Sequence, residues 1–246
     1  MKTVWWVACL ALALSSLLGG CGCRYLARPL EPAAANSAAS GMQVSDDGTV
    51  TYAQDRLEIG VRPVTDEELN RQFGAHSQAG IFSANPYTFA NWVDPELGTS
   101  PARFTVFRLK VKNYRYPKMR VEPLTARLVA QNGRQYAPLS LAELELYFEK
   151  YLTAYSGNNY ALFKERVGIL RNTLYSGEMV FSGQEAEGFL VFPALHPDVR
   201  EVRLQLRDVI VRFDVWNEPV EHLDIEYVFE RRVEKIHPDG TRSAGT

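Results

Sequence analysis

Residues 201–230 read EVRLQLRDVIVRFDVWNEPVEHLDIEYVFE. Apolar side chains occupy alternate positions in three runs of this segment: Val202, Leu204 and Leu206, then Val209, Val211, Phe213 and Val215, then Leu223, Ile225, Tyr227 and Phe229. A period of two is typical of β-strands with one buried face. The segment therefore predicts consecutive strands, with NEPVE at 217–221 as the loop before the last one.

The chain from residue 48 to residue 236 repeats this pattern in shorter runs. Strand candidates include TVTYA, RLEIGVRPV, RFTVFRLKVKN and GFLVFPAL, and Asn132-Gly133 is a strong hairpin-turn signal. Many alternating strands without a βαβ rhythm predict a mainly β domain, an antiparallel β-sandwich over 48–236. In RFTVFRLKVKN the alternation changes phase between Val106 and Phe107, which predicts a β-bulge there.

Helical patterns interrupt the strands. Ser140 followed by Glu143 is a capping box. Apolar residues then recur at helical spacing: Leu141, Leu144, Phe148, Tyr151 and Tyr155, and, after Gly157, Phe163, Val167, Leu170 and Leu174. These patterns predict an α-helical hairpin inserted at 140–176. A shorter helix is predicted at 66–73, with Thr65 as its N-cap and Glu68 three residues on as in a capping box. The long segment 74–101 that follows it has no clear period.

The first 20 residues have the three parts of a secretory signal peptide: the cation Lys2, an apolar stretch from Val4 to Leu18, and small residues. Leu18-Gly19-Gly20-Cys21 resembles the lipobox of bacterial lipoproteins. The resemblance implies cleavage before Cys21, transfer of diacylglycerol to its thiol, and acylation of the new amine by a fatty acid such as palmitate. An uncleaved apolar anchor is the alternative, and either one would tether the chain to a membrane.

The segments at the two ends of the domain suggest no structure of their own. Residues 21–47 are rich in Ala, Pro and Ser, which predicts a flexible linker between lipid and domain. Residues 237–246 are predicted to be a disordered tail. The residue after Cys21 is Gly22, whereas the lipoprotein family's inner-membrane retention signal is Asp. We therefore expect a lipid-anchored protein of the cell envelope, on the periplasmic side of the outer membrane.

A turn and a strand at 181–193, FSGQEAEGFLVFP, resemble Ig-like domains of bacterial envelope lipoproteins. The resemblance covers mainly residues 100–130 and 178–230. It implies an Ig-like β-sandwich and an envelope location, and it carries no catalytic residues over to this chain.

Asn217-Glu218-Pro219 resembles the acid/base signature of a large clan of retaining glycoside hydrolases. Such an enzyme is a (β/α)₈ barrel, with further βα units after this motif. Here 28 residues follow Glu218, and no barrel pattern supplies the second carboxylate that the mechanism needs. A turn between two strands fits the motif better, since Asn and Pro are turn formers. We therefore expect that the protein is not an enzyme.

Other chemical signals are weak. His222, Asp224 and Glu226 alternate on one strand face, where an exposed polar surface is favoured over a metal or acid–base cluster. The sequence contains no P-loop, dinucleotide fingerprint or nucleophile elbow. A net charge of −2 without a long basic run argues against nucleic acid. We expect no metal and no cofactor.

Aromatic residues are the remaining signal. Tyr87 and Trp92 lie in the long segment, and Tyr147, Tyr151 and Tyr155 lie on the helical hairpin. Such residues suit both packing and protein interfaces. We expect a non-enzymatic binding or scaffolding module for an envelope protein, with these five as candidate partner-binding residues. A carbohydrate- or peptidoglycan-binding module is the first alternative, favoured by an exposed coplanar pair of Tyr87 and Trp92, and a hydrolase is the second. The helical hairpin could instead cover a sheet edge.

Overall fold

The computed structural model describes residues 24–78, 80–95, 98–154, 160–237 and 241–244. The signal peptide, the lipobox and Cys21 lie outside these residues. The described strands are β1 Arg24–Ala27, β2 Glu31–Pro32, β3 Met42–Val44, β4 Val50–Gln54, β5 Leu57–Val64, β6 Phe104–Asn113, β7 Lys118–Met119, β8 Arg127–Ala130, β9 Gln135–Tyr136, β10 Val180–Phe181, β11 Gln184–Pro193, β12 Glu201–Phe213, β13 Pro219–Glu230, β14 Val233–Ile236 and β15 Arg242–Ala244. The described helices are α1 Ala35–Ala38, α2 Asp66–Gln72, α3 Leu141–Ala154 and α4 Tyr160–Thr173.

Two five-stranded antiparallel sheets form the body of the protein. Their strand orders are β11-β6-β5-β4-β3 and β2-β13-β12-β8-β9. Apolar residues from both sheets make one buried cluster, in which the Phe107 and Phe229 rings lie 5.2 Å apart. The prediction of a mainly β antiparallel sandwich with an inserted helical pair is confirmed.

Strand β6 is buried on both faces in its first half. Phe107, Leu109 and Val111 point into the cluster between the sheets, whereas Phe104 and Val106 belong to a second cluster on the outer face. The pairing of β6 with β5 and β11 is continuous through this region. The predicted bulge is therefore wrong, because the change of phase marks a second covered face and not an extra residue.

The helices α2, α3 and α4 cover that outer face. Leu144 and Phe148 of α3 and Leu170 of α4 are buried against Phe189 and Val191 of β11. Each of α2 and α3 begins with the predicted capping box, at Thr65 and Glu68 and at Ser140 and Glu143. The helical pair thus covers the outer face of this sheet and forms a second buried cluster with it.

The chain crosses the edge of β11 where it leaves α4. The Tyr175 N–H donates a 3.0 Å hydrogen bond to the Phe189 carbonyl oxygen, and the Tyr175 side chain then joins the core between the sheets. A Cβ atom on Gly188 would lie 2.5 Å from both the Cα and the N of Tyr175. Glycine at 188 is therefore what allows the backbone to pass over the strand.

Residues 24–47 are part of the domain, and the predicted flexible linker is a wrong assignment for them. β1 pairs with β14, β2 with β13 and β3 with β4. The buried Asn36 side chain donates to the Val228 carbonyl oxygen at 2.6 Å and accepts from the Val228 N–H at 3.0 Å. Its amide thus makes the two hydrogen bonds that a neighbouring strand would make with Val228. These contacts use backbone groups and one amide, which leave no apolar period in the sequence.

The C-terminal segment also differs from the prediction. Residues 242–244 form β15, which pairs with β14, so the predicted disordered tail is wrong for these residues. Strands β1, β14 and β15 make a small sheet in the order β1-β14-β15. None of the described helices is long and apolar enough to cross a membrane.

The small sheet and the β12–β13 turn lie at opposite ends of β13. The turn precedes Pro219 at one end, and at the other end two residues separate Glu230 from the start of β14 at Val233. At about 3.3 Å per residue, the 12 residues of β13 span roughly 40 Å. The two ends of the molecule are therefore well separated.

Candidate functional site

A tight turn at 214–218, which we call the hairpin tip, joins β12 to β13. The Asp214 carboxylate accepts hydrogen bonds from the Trp216 N–H at 2.9 Å and the Glu218 N–H at 2.8 Å. The backbone closes the same turn, since Asp214 N donates to Glu218 O at 2.9 Å and Asn217 N to Asp214 O at 3.1 Å. Asn217 has a φ of +70°, a left-handed conformation that Asn tolerates better than most residues. The tip is consequently a well-defined turn.

Large apolar side chains stand exposed on the hairpin tip. Val215 is 88 % exposed and Trp216 is 80 % exposed. Exposed apolar residues are common on proteins when scattered, but a Trp beside a Val on an ordered turn makes a contiguous apolar contact surface. Trp is among the residues that contribute most to binding energy in protein interfaces.

A second pair of antiparallel strands, β7 and β10, lies beside the tip. Phe181 of β10 is 50 % exposed and pairs with Lys118 of β7. The Lys118 ammonium lies 4.8 Å from the centre of the Phe213 ring and donates a hydrogen bond to the Asn217 side-chain oxygen. Lys118 therefore links the β7–β10 pair to the hairpin tip. We call the surface formed by Val215, Trp216, Phe181 and Lys118 the tip surface.

Glu218 lies on this exposed turn. The interpretation of the motif as a turn between two antiparallel strands is confirmed for Asn217 and Glu218, which lie in the connection 214–218. The predicted loop 217–221 is wrong for residues 219–221, because β13 begins at Pro219 and pairs with β12 from there. The nearby Asp214 carboxylate is engaged by two backbone N–H groups of the turn. The motif is thus accounted for by local backbone geometry.

Tyr87 cannot contact a partner, which corrects its assignment as a binding residue. Its side chain is fully buried, its ring lies 5.2 Å from the Phe189 ring, and its hydroxyl is hydrogen-bonded to the Thr173 hydroxyl. Burial raises the pKa of Tyr87 well above its usual range. Trp92 is half-buried, with its ring tilted against Phe89 at 5.9 Å. The exposed coplanar pair that would favour sugar binding is therefore not formed.

The aromatic residues of the helical pair differ in how much they offer a partner. Tyr147 is half-buried, and its ring meets Phe104 at 5.1 Å and Phe148 at 5.0 Å in edge-to-face contacts. Packing on the sheet therefore accounts for Tyr147. The side chain of Tyr151, and the whole of Tyr155, lie outside the described part of the chain. Among the described side chains of this pair, the large apolar ones that are exposed are Leu146, at 51 %, and Tyr160.

Two buried arginines, which the sequence did not single out, hold the long segment 74–101 on the helices and sheet. The Arg166 guanidinium donates to the Ser83 carbonyl oxygen at 3.1 and 2.7 Å. Arg103 lies 4.1 Å over the Phe89 ring and donates to the Asn85 carbonyl oxygen at 3.4 Å. The Asn85 amide in turn bonds to Ser77 Oγ at 3.0 Å. The segment is thus a packed element of the fold.

A carboxyl group with a shifted pKa lies beside this polar layer. Burial raises the pKa of Asp66 to about 6, while the charge of Arg103 acts in the opposite direction. Asp66 is in the first turn of α2, where a negative charge is favoured by the helix dipole. A raised pKa in a cleft can mark an active site, but here the neighbours are packing residues of the loop.

Metal-binding geometry is not found in the described part of the chain, which contains no group of three or more His, Cys, Asp or Glu side chains placed to hold an ion. The alternating set at 222–226 makes separate surface contacts. The Asp224 carboxylate accepts from the Asp208 N–H at 2.9 Å, and Glu226 accepts from Gln205 at 2.8 Å.

Comparison with protein-family models, with curated proteins and with solved structures finds no match to this chain.

Sequence reasoning missed the tip surface although Trp216 adjoins the Asn-Glu-Pro motif. Val215 continues the alternation of the buried residues Val209 and Val211, which predicts a buried position for it. The Asp214 carboxylate ends the strand pairing just before that position. An Asp two residues before a Trp within a turn-forming stretch was the available signal, since Asp readily caps backbone N–H groups two residues ahead.

Proposed function

We propose that this protein is a lipid-anchored binding module of the cell envelope, which acts without catalysis and docks an envelope protein on its tip surface. Cys21 carries the lipid in this proposal, and residues 1–20 are removed as a signal peptide. The docking residues are Trp216 and Val215, with Phe181 and Lys118 beside them.

The exposure of Trp216 on a pinned turn carries the proposal. Because hydrogen bonds hold the backbone of the turn in one conformation, the turn loses little conformational entropy when a partner buries the Trp216 side chain, and this preorganisation favours binding. Five hydrogen bonds at the tip hold it: the two to the Asp214 carboxylate, the two between backbone groups, and the one from Lys118 to Asn217. The surface fits a protein partner that offers an apolar pocket for an indole ring and an acceptor for the Lys118 ammonium.

The position of the tip supports the proposal that a partner docks there. β1 begins three residues after Cys21 and pairs with β14, at the end of β13 that is farthest from the tip. A lipid on Cys21 would therefore hold the small sheet near the membrane, with the tip surface directed away from it and accessible to a partner.

Lipid attachment is tested with a clickable fatty acid in cells that express the full chain. We expect labelling of the wild type and of Cys23→Ala, and loss of labelling with accumulation of a longer precursor for Cys21→Ala. Labelling of Cys21→Ala together with loss of labelling in Cys23→Ala would contradict this assignment and place the lipid on Cys23.

Partner docking is tested by site-specific photo-crosslinking of the anchored protein in intact envelopes. A photoreactive residue at Trp216 should give one discrete protein adduct, whereas the same residue at Leu146, exposed on α3, should not. Co-purification of the crosslinked partner should fail for Trp216→Ala and persist for Leu146→Ala. An adduct at Leu146 but not at Trp216 would contradict docking on the tip surface and would indicate that the partner binds the helical pair.

A carbohydrate ligand gives a different outcome in the same system. A Trp exposed beside polar groups also suits stacking on a sugar ring. Sedimentation of the purified domain with insoluble peptidoglycan, abolished by Trp216→Ala, would replace the proposed protein partner by a glycan.

A further inference from the structure

The small sheet concentrates positive charge at the end of the molecule that is near the N-terminus. Residues 24–28 and 231–244 contain six Lys and Arg residues and two acidic residues, although the whole chain has a net charge of −2. Glu234 partly offsets the cations through ion pairs with Arg28 at 3.8 Å and Arg242 at 3.5 Å. Arg231 is engaged within the fold by the carbonyl oxygens of Val199 and His196. The remaining excess is still positive.

Strand pairing places three of these cations, Arg24, Lys235 and Arg242, in the two outermost rows of the sheet. Arg24 lies opposite Ile236, and Ile236 lies opposite Arg242, so the last row is a Arg–Ile–Arg set. In the next row Tyr25 lies opposite Lys235. Tyr25 is exposed, and Tyr beside Lys or Arg is typical of the interface between membrane and water.

We propose that this outer end of the small sheet is a second membrane contact, which binds the headgroups of anionic phospholipids. The proposal adds an electrostatic contact to the anchor of the proposed function, and does not depend on which residue carries the lipid. Basic residues near a surface of anionic lipid each add to binding. Arg24 lies three residues after Cys21 in the sequence, so an anchor at the N-terminus would hold the charged rows close to the membrane surface.

The soluble domain of residues 24–246 provides the test, because every described strand, helix and core residue lies within it. It is mixed with vesicles of phosphatidylcholine alone or with added phosphatidylglycerol, and the bound fraction is measured by sedimentation. We expect binding to the anionic vesicles, weak binding to the neutral ones, and loss of binding at high salt, since salt screens such contacts.

Charge reversal localises the contact. The variant Arg24→Glu/Lys235→Glu/Arg242→Glu should lose at least about tenfold in affinity for anionic vesicles. The matched control Lys164→Glu/Arg207→Glu/Arg212→Glu has the same net charge and changes exposed cations elsewhere; it should retain most of the affinity. Thermal unfolding by circular dichroism checks that both variants are folded.

A local probe gives a second readout. In a domain with Trp92→Phe and Trp216→Phe, a Tyr25→Trp substitution should show a blue shift of its fluorescence on anionic vesicles. Equal losses for the two charge-reversal variants, or no preference of the wild type for anionic vesicles, would overturn the proposal. Either result would leave lipidation at Cys21 and docking at the tip surface unaffected, because the assay contains neither Cys21 nor a protein partner.

Discussion

The Tyr227 hydroxyl donates a 2.7 Å hydrogen bond to the Ile59 carbonyl oxygen and thereby joins the two sheets of the sandwich. Tyr227 belongs to β13 and Ile59 to β5, and both side chains are fully buried. Burial raises the pKa of Tyr227 well above its usual range, so the hydroxyl keeps its proton and remains a donor. A polar contact in this position fixes how the sheets lie on each other, because a buried donor without a partner is costly.

Removing this hydroxyl should weaken the domain. Tyr227→Phe should lower the free energy of unfolding by about 1 kcal/mol, the usual net value of a buried hydrogen bond, as measured by urea denaturation. Tyr52→Phe is the control, since its hydroxyl bonds to Gln54 at an exposed position. A loss for Tyr52→Phe as large as that for Tyr227→Phe would contradict the assigned role.

Gly188 should not tolerate a side chain. A Cβ there would meet the backbone of Tyr175 at 2.5 Å, and backbone cannot move aside as a flexible side chain can. Gly188→Ala should destabilise the domain by roughly 1–3 kcal/mol, as overpacking does. Gly168→Ala is a matched control within α4, where nothing lies within 4 Å of the added carbon. That change should stabilise by about 0.5–1 kcal/mol, and thermal melts of the two variants should move in opposite directions.

Asp66 should make stability depend on pH. Its pKa is raised from 3.8 to about 6 by burial, so the folded state favours the protonated carboxyl. The folded protein therefore loses stability as pH rises between these two values, and the cost remains above them. Asp66→Asn should be more stable than wild type by roughly 2–3 kcal/mol near pH 7.5 and about equal to it near pH 4.

The adjacent residue supplies the control for this pH effect. Glu67 is exposed in the same turn of α2, and Glu67→Gln should change stability by less than about 0.5 kcal/mol. Urea unfolding at the two pH values measures both variants. An Asp66→Asn gain that is the same at both pH values would show that the buried charge is not its cause.

The two acidic residues of the hairpin tip should differ in their effects. Asp214→Ala removes the acceptor of two backbone hydrogen bonds and should cost about 1–2 kcal/mol. Glu218→Gln changes an exposed side chain and should cost less than about 0.5 kcal/mol. Purified wild-type domain should hydrolyse no aryl glycoside, and turnover that disappears in Glu218→Gln would support the glycosidase hypothesis.

Trp216→Ala should leave the unfolding temperature unchanged, because the Trp216 side chain is exposed.

The sequence by itself determined the local elements. Alternation in 201–230 predicted β12 and β13, because an antiparallel strand with one covered face has a period of two. Thr65 with Glu68, and Ser140 with Glu143, predicted the starts of α2 and α3, since a capping box involves residues within one turn. Each of these patterns depends on neighbours in the chain or on a single buried face, so it can be recognised without the fold.

Tertiary structure decided everything that depends on a second contact surface. Helices pack on the outer face of β6, so that apolar residues on both faces of this strand are buried. Tyr87 is buried in the same cluster between the helices and the sheet. Residues 24–47 joined the domain through backbone pairing, which all residues can make and which leaves no side-chain pattern. Trp216 and Val215 are exposed because the Asp214 turn ends the strand pairing before them, although the alternation alone would bury Val215. Burial is set by what packs on a residue from elsewhere in the chain, and that information is not local.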